Sequence, residues 1–193
     1  MAEHRHFILH KPYGYLSQFV NNQTKRKNKK MLGELYDFPD GTMAIGRLDQ
    51  DSEGLIFLTT DGKVSEAVRS KKVEKEYYVQ LDGLITDEAI KQLQNGVIIT
   101  VNSKKYKTLP SKVHIPDPAP DFGKRSKKIR DERHGPTCWL SITIGEGKFR
   151  QVRKMTAAVG FPTLRLIRVR IGPTILGELA IGQVKEVISF EGS

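Results

Sequence analysis

Gly46-Arg-Leu-Asp49-Gln-Asp-Ser-Glu-Gly54-Leu-Ile-Phe-Leu-Thr-Thr-Asp-Gly62 is the stretch on which the reading of the chain turns. Its first half is polar and turn-like. Its second half, from Gly54 to Thr60, is an uninterrupted apolar run closed by Asp61-Gly62, the pattern of a buried strand. Asp49 therefore stands in a loop with a rigid strand directly behind it. A carboxylate held that way is a common start for a reactive site. Asp49, Asp51 and Ser52 are equally the residue types that close turns through their own backbone. Spacing alone favours the turn reading, and the rest of the chain shifts the balance.

On the N-terminal side, residues 7 to 14 predict a short strand running into a turn at Pro12 and Gly14. Met43 to Leu48 predicts a second strand entering the Asp49 loop. On the other side, Asp61 is placed to cap a helix over 63–70 with Val64, Ala67 and Val68 on its apolar stripe. Lys75 to Leu81 alternates, with Tyr77, Val79 and Leu81 on one face. Thr86 caps a helix ended by Gly96, with Ala89, Ile90 and Leu93 inward. Val97–Val101 and Lys105–Ile115 predict paired strands around Asn102-Ser103. Cys138–Ile144, Leu164–Ile171 and Val184–Phe190 complete the strands. Residues 145 to 160 predict a helix starting after Gly147 and ending at Gly160, with Val152, Met155 and Val159 buried. In it Arg150 and Arg153 share a face in the first turns, where the macrodipole favours an anion. Short strands with two or three helices, not in strict alternation, predict an α+β fold with mostly antiparallel sheet.

The 193 residues suit one large domain or two small lobes. Hydrophobic residues make up 38% and charged residues 28%, the balance of a soluble globular protein. No apolar stretch is long enough to span a bilayer, and no secretory signal precedes the first strand. With one cysteine, Cys138, no intrachain disulfide can form, which points to the cytoplasm. The net charge of +10 points to a polyanion, nucleic acid first. Two tracts concentrate the charge. Residues 21–30 hold five Lys or Arg and no acid, among them Lys25, Arg26 and Lys27. The stiff, proline-led loop 116–135 carries Lys124, Arg125, Lys127, Lys128, Arg130 and Arg133. Arg165, Arg168 and Arg170 stud a later strand. The histidines lack partners at ligand spacing, and no phosphate-loop or zinc pattern occurs, so no metal is expected.

Four separated segments then fit one pattern: Lys11-Pro-Tyr-Gly14; Gly46-Arg-Leu-Asp49 with Ser52, Gly54, Leu55 and Thr59-Thr-Asp-Gly62; Lys75-Glu-Tyr77 with Val79; and Glu146-Gly-Lys-Phe-Arg-Gln-Val-Arg-Lys-Met155, followed by Gly160, Leu166, Arg168 and Ile171-Gly172. In this order and spacing the chain closely resembles the pseudouridine synthases that modify ribosomal RNA, in the branch named for the small-subunit enzyme A. The similarity runs over nearly the whole chain and is nearest to short members acting on one uridine of large-subunit (23S) rRNA. The Lys-Pro-x-Gly motif begins at residue 11, so the S4-type RNA-binding domain that precedes it in most of the branch is expected to be absent. RNA docking then falls to the catalytic domain and its basic loops.

The resemblance implies two α+β lobes with the active site in a cleft between them. It maps the catalytic aspartate to Asp49, the active-site tyrosine to Tyr77 and its basic partner to Arg153. Lys11 and Arg47 match motif positions that are either structural or RNA-contacting, and Arg150, Arg165 and Arg168, with the loop residues Lys25, Arg26, Lys27, Lys127 and Lys128, are further candidate RNA contacts. The implied reaction breaks the N1–C1′ bond of a uridine, rotates the uracil and joins C5 to C1′. No redox step or external group enters, so no cofactor is expected. Asp49 either attacks C1′ as a nucleophile or takes a proton from the ribose 2′ position, leaving a glycal. Tyr77 stacks on the uracil, and its hydroxyl is a candidate to help remove the C5 proton. A monomer without an obligatory protein partner is expected. The rival is a non-catalytic RNA-binding or ribosome-assembly protein on the same fold. Charge suits it equally, but bare RNA binding has no use for a carboxylate among phosphates.

Overall fold

The computed structural model describes residues 4–20, 29–70 and 72–190. The chain folds as two compact units, Met1–Lys72 with Arg168–Ser193, and Val73–Ile167.

In the first unit the chain runs through β1 (His6–Lys11), β2 (Tyr15–Leu16), β3 (Lys30–Met31), β4 (Met43–Ile45), β5 (Glu53–Thr59) and α1 (Gly62–Ser70). The second unit follows with β6 (Lys75–Asp82), α2 (Asp87–Asn95), β7 (Ile98–Val101), β8 (Lys104–Lys107), β9 (Lys112–His114), β10 (Thr137–Ile144) and α3 (Gln151–Ala158). β11 (Thr163–Ile171) carries the chain back to the first unit, where β12 (Thr174–Ile175) and β13 (Val184–Val187) end it.

β5 is buried at all seven residues, as its apolar run predicts. β1 pairs antiparallel with it from His6↔Thr59 to Lys11↔Gly54. β4 also pairs antiparallel with β5, and β13 with β1. Phe7 and Leu9 of β1 and Leu55, Ile56 and Leu58 of β5 are buried. Phe57 stacks on Phe190 with ring centroids 4.4 Å apart, closing one end of this core. The Asp61 carboxylate accepts from Lys63 N at 2.8 Å and caps α1. The inward residues of α1 are Val64, Ser65 and Val68; Ala67, expected on that stripe, faces solvent.

In the second unit β10 pairs with β6 along its whole length, from Thr137↔Asp82 to Ile144↔Lys75. Tyr77, Val79 and Leu81 face inward, as their alternation predicts. Thr86 caps α2 by accepting from Ala89 N at 3.2 Å. Asn102 and Ser103 both take positive φ, 48° and 62°, and turn β7 back into β8.

Four elements differ from the sequence reading, the first being the strand expected over 184–190, which ends at Val187. The strand expected over 43–48 stops at Ile45, because Gly46 turns at φ 74°. The strand expected over 105–115 is two strands: β8 pairs with β7, and β9 pairs with β10. Pro110, which has no N–H to give a ladder, lies in the break. The last helix starts at Gln151 rather than after Gly147. The fold is α+β; the pairings given above are antiparallel, and β2 runs parallel to β3.

Candidate active site

Asp49 is half-buried in the loop between β4 and β5. Both of its neighbours are tied to the segment that follows β1. The Ser17 hydroxyl donates to Leu48 O at 2.7 Å and accepts from Leu48 N at 2.9 Å. Gly14 N donates to Gln50 O at 2.8 Å, and the Gln50 amide returns a bond to Gly14 O at 3.1 Å. Ser52 N closes the turn on Asp49 O at 3.0 Å. The backbone on either side of the carboxylate is thus bonded before any substrate arrives, the preorganisation that catalysis rewards.

Lys11 stands opposite Gly54 at the end of β1 and is fully buried. Its ammonium donates to Tyr15 O at 2.7 Å, Pro12 O at 2.9 Å and, weakly, Gln50 O at 3.5 Å. Burial pushes its pKa down to about 7, against the pull of the Glu53, Asp51 and Asp49 carboxylates, while Arg168 adds to the lowering. Of the two roles open to Lys11, structural or RNA-contacting, its burial favours the structural one. A group without exposed surface cannot meet a phosphate, and this one organises the loop that carries Asp49.

Arg168 and Arg165, expected as RNA contacts, are corrected on the same ground, each being 4% exposed. Arg168 Nε donates to Leu55 O at 2.8 Å. Arg165 donates to Gly123 O at 2.8 Å, and its guanidinium carbon lies 6.0 Å from the centre of the Phe122 ring. Each guanidinium thus gives at least one bond to the protein's own backbone. Gly54 explains part of the crowding: at φ 108°, a Cβ there would sit 2.3 Å from Arg168 O.

Tyr77 and Arg153 belong to the second unit. Tyr77, 9% exposed, lies on β6 opposite Ile142. Arg153 is half-buried in α3. Arg150 does not share a helix face with it. Arg150 is the N-cap of α3, at φ 52° and ψ 36°. Glu146 anchors that approach. It accepts from the Tyr106 hydroxyl at 2.5 Å, from Leu109 N at 2.9 Å and from the Gln151 amide at 2.7 Å. Burial works against its charge, but these donors and the nearby Lys148 hold its carboxyl below the usual range.

Of the remaining candidates, Arg47 is exposed and bonds the Gln18 amide oxygen at 3.2 Å. Lys127 and Lys128 are exposed, and Lys128 lies 3.9 Å from Asp131. Lys25, Arg26 and Lys27 lie outside the described residues. Ser17 and Gln50, which bond the backbone beside Asp49, and Glu146, which anchors the approach to α3, are not among the candidates the sequence reading singles out. Nothing local to Ser17 or Gln50 marks them, whereas Glu146 opens the motif that runs to Met155, and that position is the signal for its anchoring role. Among the described residues no group of three or more His, Cys, Asp or Glu is placed to hold a metal. No helix among them is long and apolar enough to cross a membrane.

A family model described as RNA pseudouridylate synthase matches residues 5–158. The chain belongs to that family. It is 43% identical over 182 residues to the ribosomal large subunit pseudouridine synthase E of Vibrio parahaemolyticus, covering 93% of this chain and 72% of that one. It is also 43% identical over 175 residues to the protein of the same name from Xanthomonas axonopodis pv. citri, covering 90% and 88%. A crystal structure of a pseudouridylate synthase superposes with a TM-score of 0.74 at 26% identity, over 97% of this chain and 71% of that one. The α+β fold of this synthase is thus the family's fold, and the protein is an RNA pseudouridine synthase.

Proposed function

We propose that this synthase isomerises one uridine of large-subunit ribosomal RNA to pseudouridine, with Asp49 as its catalytic carboxylate. The substrate follows the relatives that carry that name, and the net charge of +10 suits a polyanion. The observation that carries the role of Asp49 is the pair of backbone clamps around it, at Leu48 from Ser17 and at Gln50 from Gly14.

The N1–C1′ bond breaks, the uracil turns, and C5 bonds to C1′ while the C5 proton leaves. Asp49 starts the sequence, as nucleophile at C1′ or as base at the 2′ position. The family pattern gives Tyr77 the uracil ring to stack on and gives Arg153 the carboxylate to stabilise. Everting the uridine costs a few kcal/mol, which phosphate contacts offset. Arg47, Lys127 and Lys128, all exposed, supply such contacts, together with Lys25, Arg26 and Lys27. The chain works as a monomer in the cytoplasm, without a cofactor.

Asp49→Asn tests the assignment. The variant is expected to fold and bind a large-subunit rRNA transcript while forming no pseudouridine, read by mass spectrometry of the digested RNA. Conversion at the normal rate overturns the role of Asp49.

A further inference from the structure

The loop between β10 and α3 ends in an exposed ring whose surroundings suit a nucleobase. Phe149 is 67% exposed. One exposed phenylalanine is ordinary, but its neighbours are not. Lys154 Nζ lies 5.3 Å from the centre of that ring and donates to Thr100 O at 2.8 Å, so the charge beside the ring is held in place. Lys148 Nζ lies 4.8 Å from the centre of the Tyr106 ring on β8, whose Lys104, Lys105 and Lys107 are all exposed.

The ring is presented by a stiff loop. Glu146 ties its base to the hydroxyl of Tyr106, the amide of Leu109 and the side chain of Gln151. Lys148 N donates to Gln151 Oε1 at 2.9 Å, and Lys154 N donates to Arg150 O at 3.1 Å. Arg150 is held at φ 52°, a conformation that a residue with a side chain keeps only where its surroundings impose it.

We propose that Phe149 is a stacking platform for an unpaired base of the RNA that flanks the target uridine, with Lys148 and Lys154 meeting the adjoining phosphates. The proposal rests on the RNA reading above and adds a site to it, four residues ahead of Arg153. A nucleotide joins a flat π-face to a phosphate in one unit, which matches a ring set among fixed ammonium groups. An apolar protein surface would have to desolvate those charges without pairing them.

The test uses the full chain and an RNA oligonucleotide with 2-aminopurine next to the target uridine. Phe149→Ala and Phe149→Leu should weaken binding about tenfold and leave the 2-aminopurine unquenched, with the salt slope unchanged because no charge is lost. Phe149→Trp should restore both affinity and quenching. Lys154→Ala should lower the salt slope by about one. Wild-type affinity in Phe149→Ala, or full rescue by Phe149→Leu, overturns the platform, and so does capture of the Phe149→Trp variant by anionic phospholipid vesicles in preference to RNA. If the wild-type chain converts the uridine while Phe149→Ala binds equally well, the platform fails alone. If the wild-type chain binds no RNA, both readings fail.

Discussion

The hydroxyl of Ser17 bonds both the carbonyl and the amide of Leu48, at 2.7 Å and 2.9 Å, and so grips the residue immediately before Asp49. Ser17 is 7% exposed, so the two backbone groups have little water to turn to if the hydroxyl is removed. Ser17→Ala should cost roughly 1–3 kcal/mol of stability, the penalty for leaving buried polar groups unpaired. The turnover of bound RNA should fall while RNA affinity holds, because the carboxylate is displaced and the phosphate contacts are not. Urea unfolding and single-turnover kinetics check this; unchanged turnover would mean that the clamp serves folding only.

Gly54→Ala should prevent folding. The new Cβ would sit 2.3 Å from a backbone oxygen of Arg168, at a φ of 108° that alanine avoids. A flexible side chain can yield, but a paired strand cannot, and the cost should exceed roughly 4 kcal/mol. Soluble yield and circular dichroism read the result. A folded variant with a normal melting temperature would show that the close approach relaxes cheaply.

The buried ammonium of Lys11 predicts a pH dependence. Its pKa in the folded chain is about 7, below the ordinary value of 10.5. Between those values the unfolded chain holds a proton that the native chain has released, so stability rises with pH across that window and is flat below it. A tenfold difference in proton affinity is worth about 1.4 kcal/mol, which puts the rise on the order of a few kcal/mol. Lys11→Met should be less stable at neutral pH, because the carbonyls of Tyr15 and Pro12 lose their donor, and it should lack the rise. Urea midpoints at about pH 7 and about pH 9.5 compare the two proteins, and equal slopes would assign the rise to other groups.

The exposed basic residues predict a salt effect. Each phosphate contact removed should lower the slope of log affinity against log salt by roughly 0.7 to 0.9. Lys127→Ala with Lys128→Ala, and separately Lys25→Ala with Arg26→Ala and Lys27→Ala, should flatten the slope and leave the turnover of saturated enzyme intact. Filter binding over a salt series measures it. A slope equal to that of the wild type would return that loop to the role of a solvated surface.

Much of this architecture is legible in local pattern. The apolar run of β5, the cap at Asp61, the cap at Thr86 and the inward face of Tyr77, Val79 and Leu81 follow from periods of two and 3.6 residues and from the hydrogen-bonding habits of short polar side chains. The order of the four motifs also points to the family. Partners distant in the chain decide the rest. Lys11, Arg165 and Arg168 read as surface cations because charge normally stays in water. Each is buried with backbone carbonyls accepting its protons; for Lys11 the nearest are Pro12 and Tyr15, but for Arg165 and Arg168 the carbonyl lies 42 and 113 residues away. Arg150 reads as helical from its neighbours, yet the Glu146 anchor to β8 sets the loop that ends in its left-handed turn. Sequence by itself determined which segments become strands and helices, and which acid stands ahead of the buried strand, because those depend on residues a few positions apart. Only the tertiary structure decided that Arg165 and Arg168 turn away from solvent and what holds the backbone on either side of Asp49, because those bonds join residues that the chain keeps more than thirty positions apart.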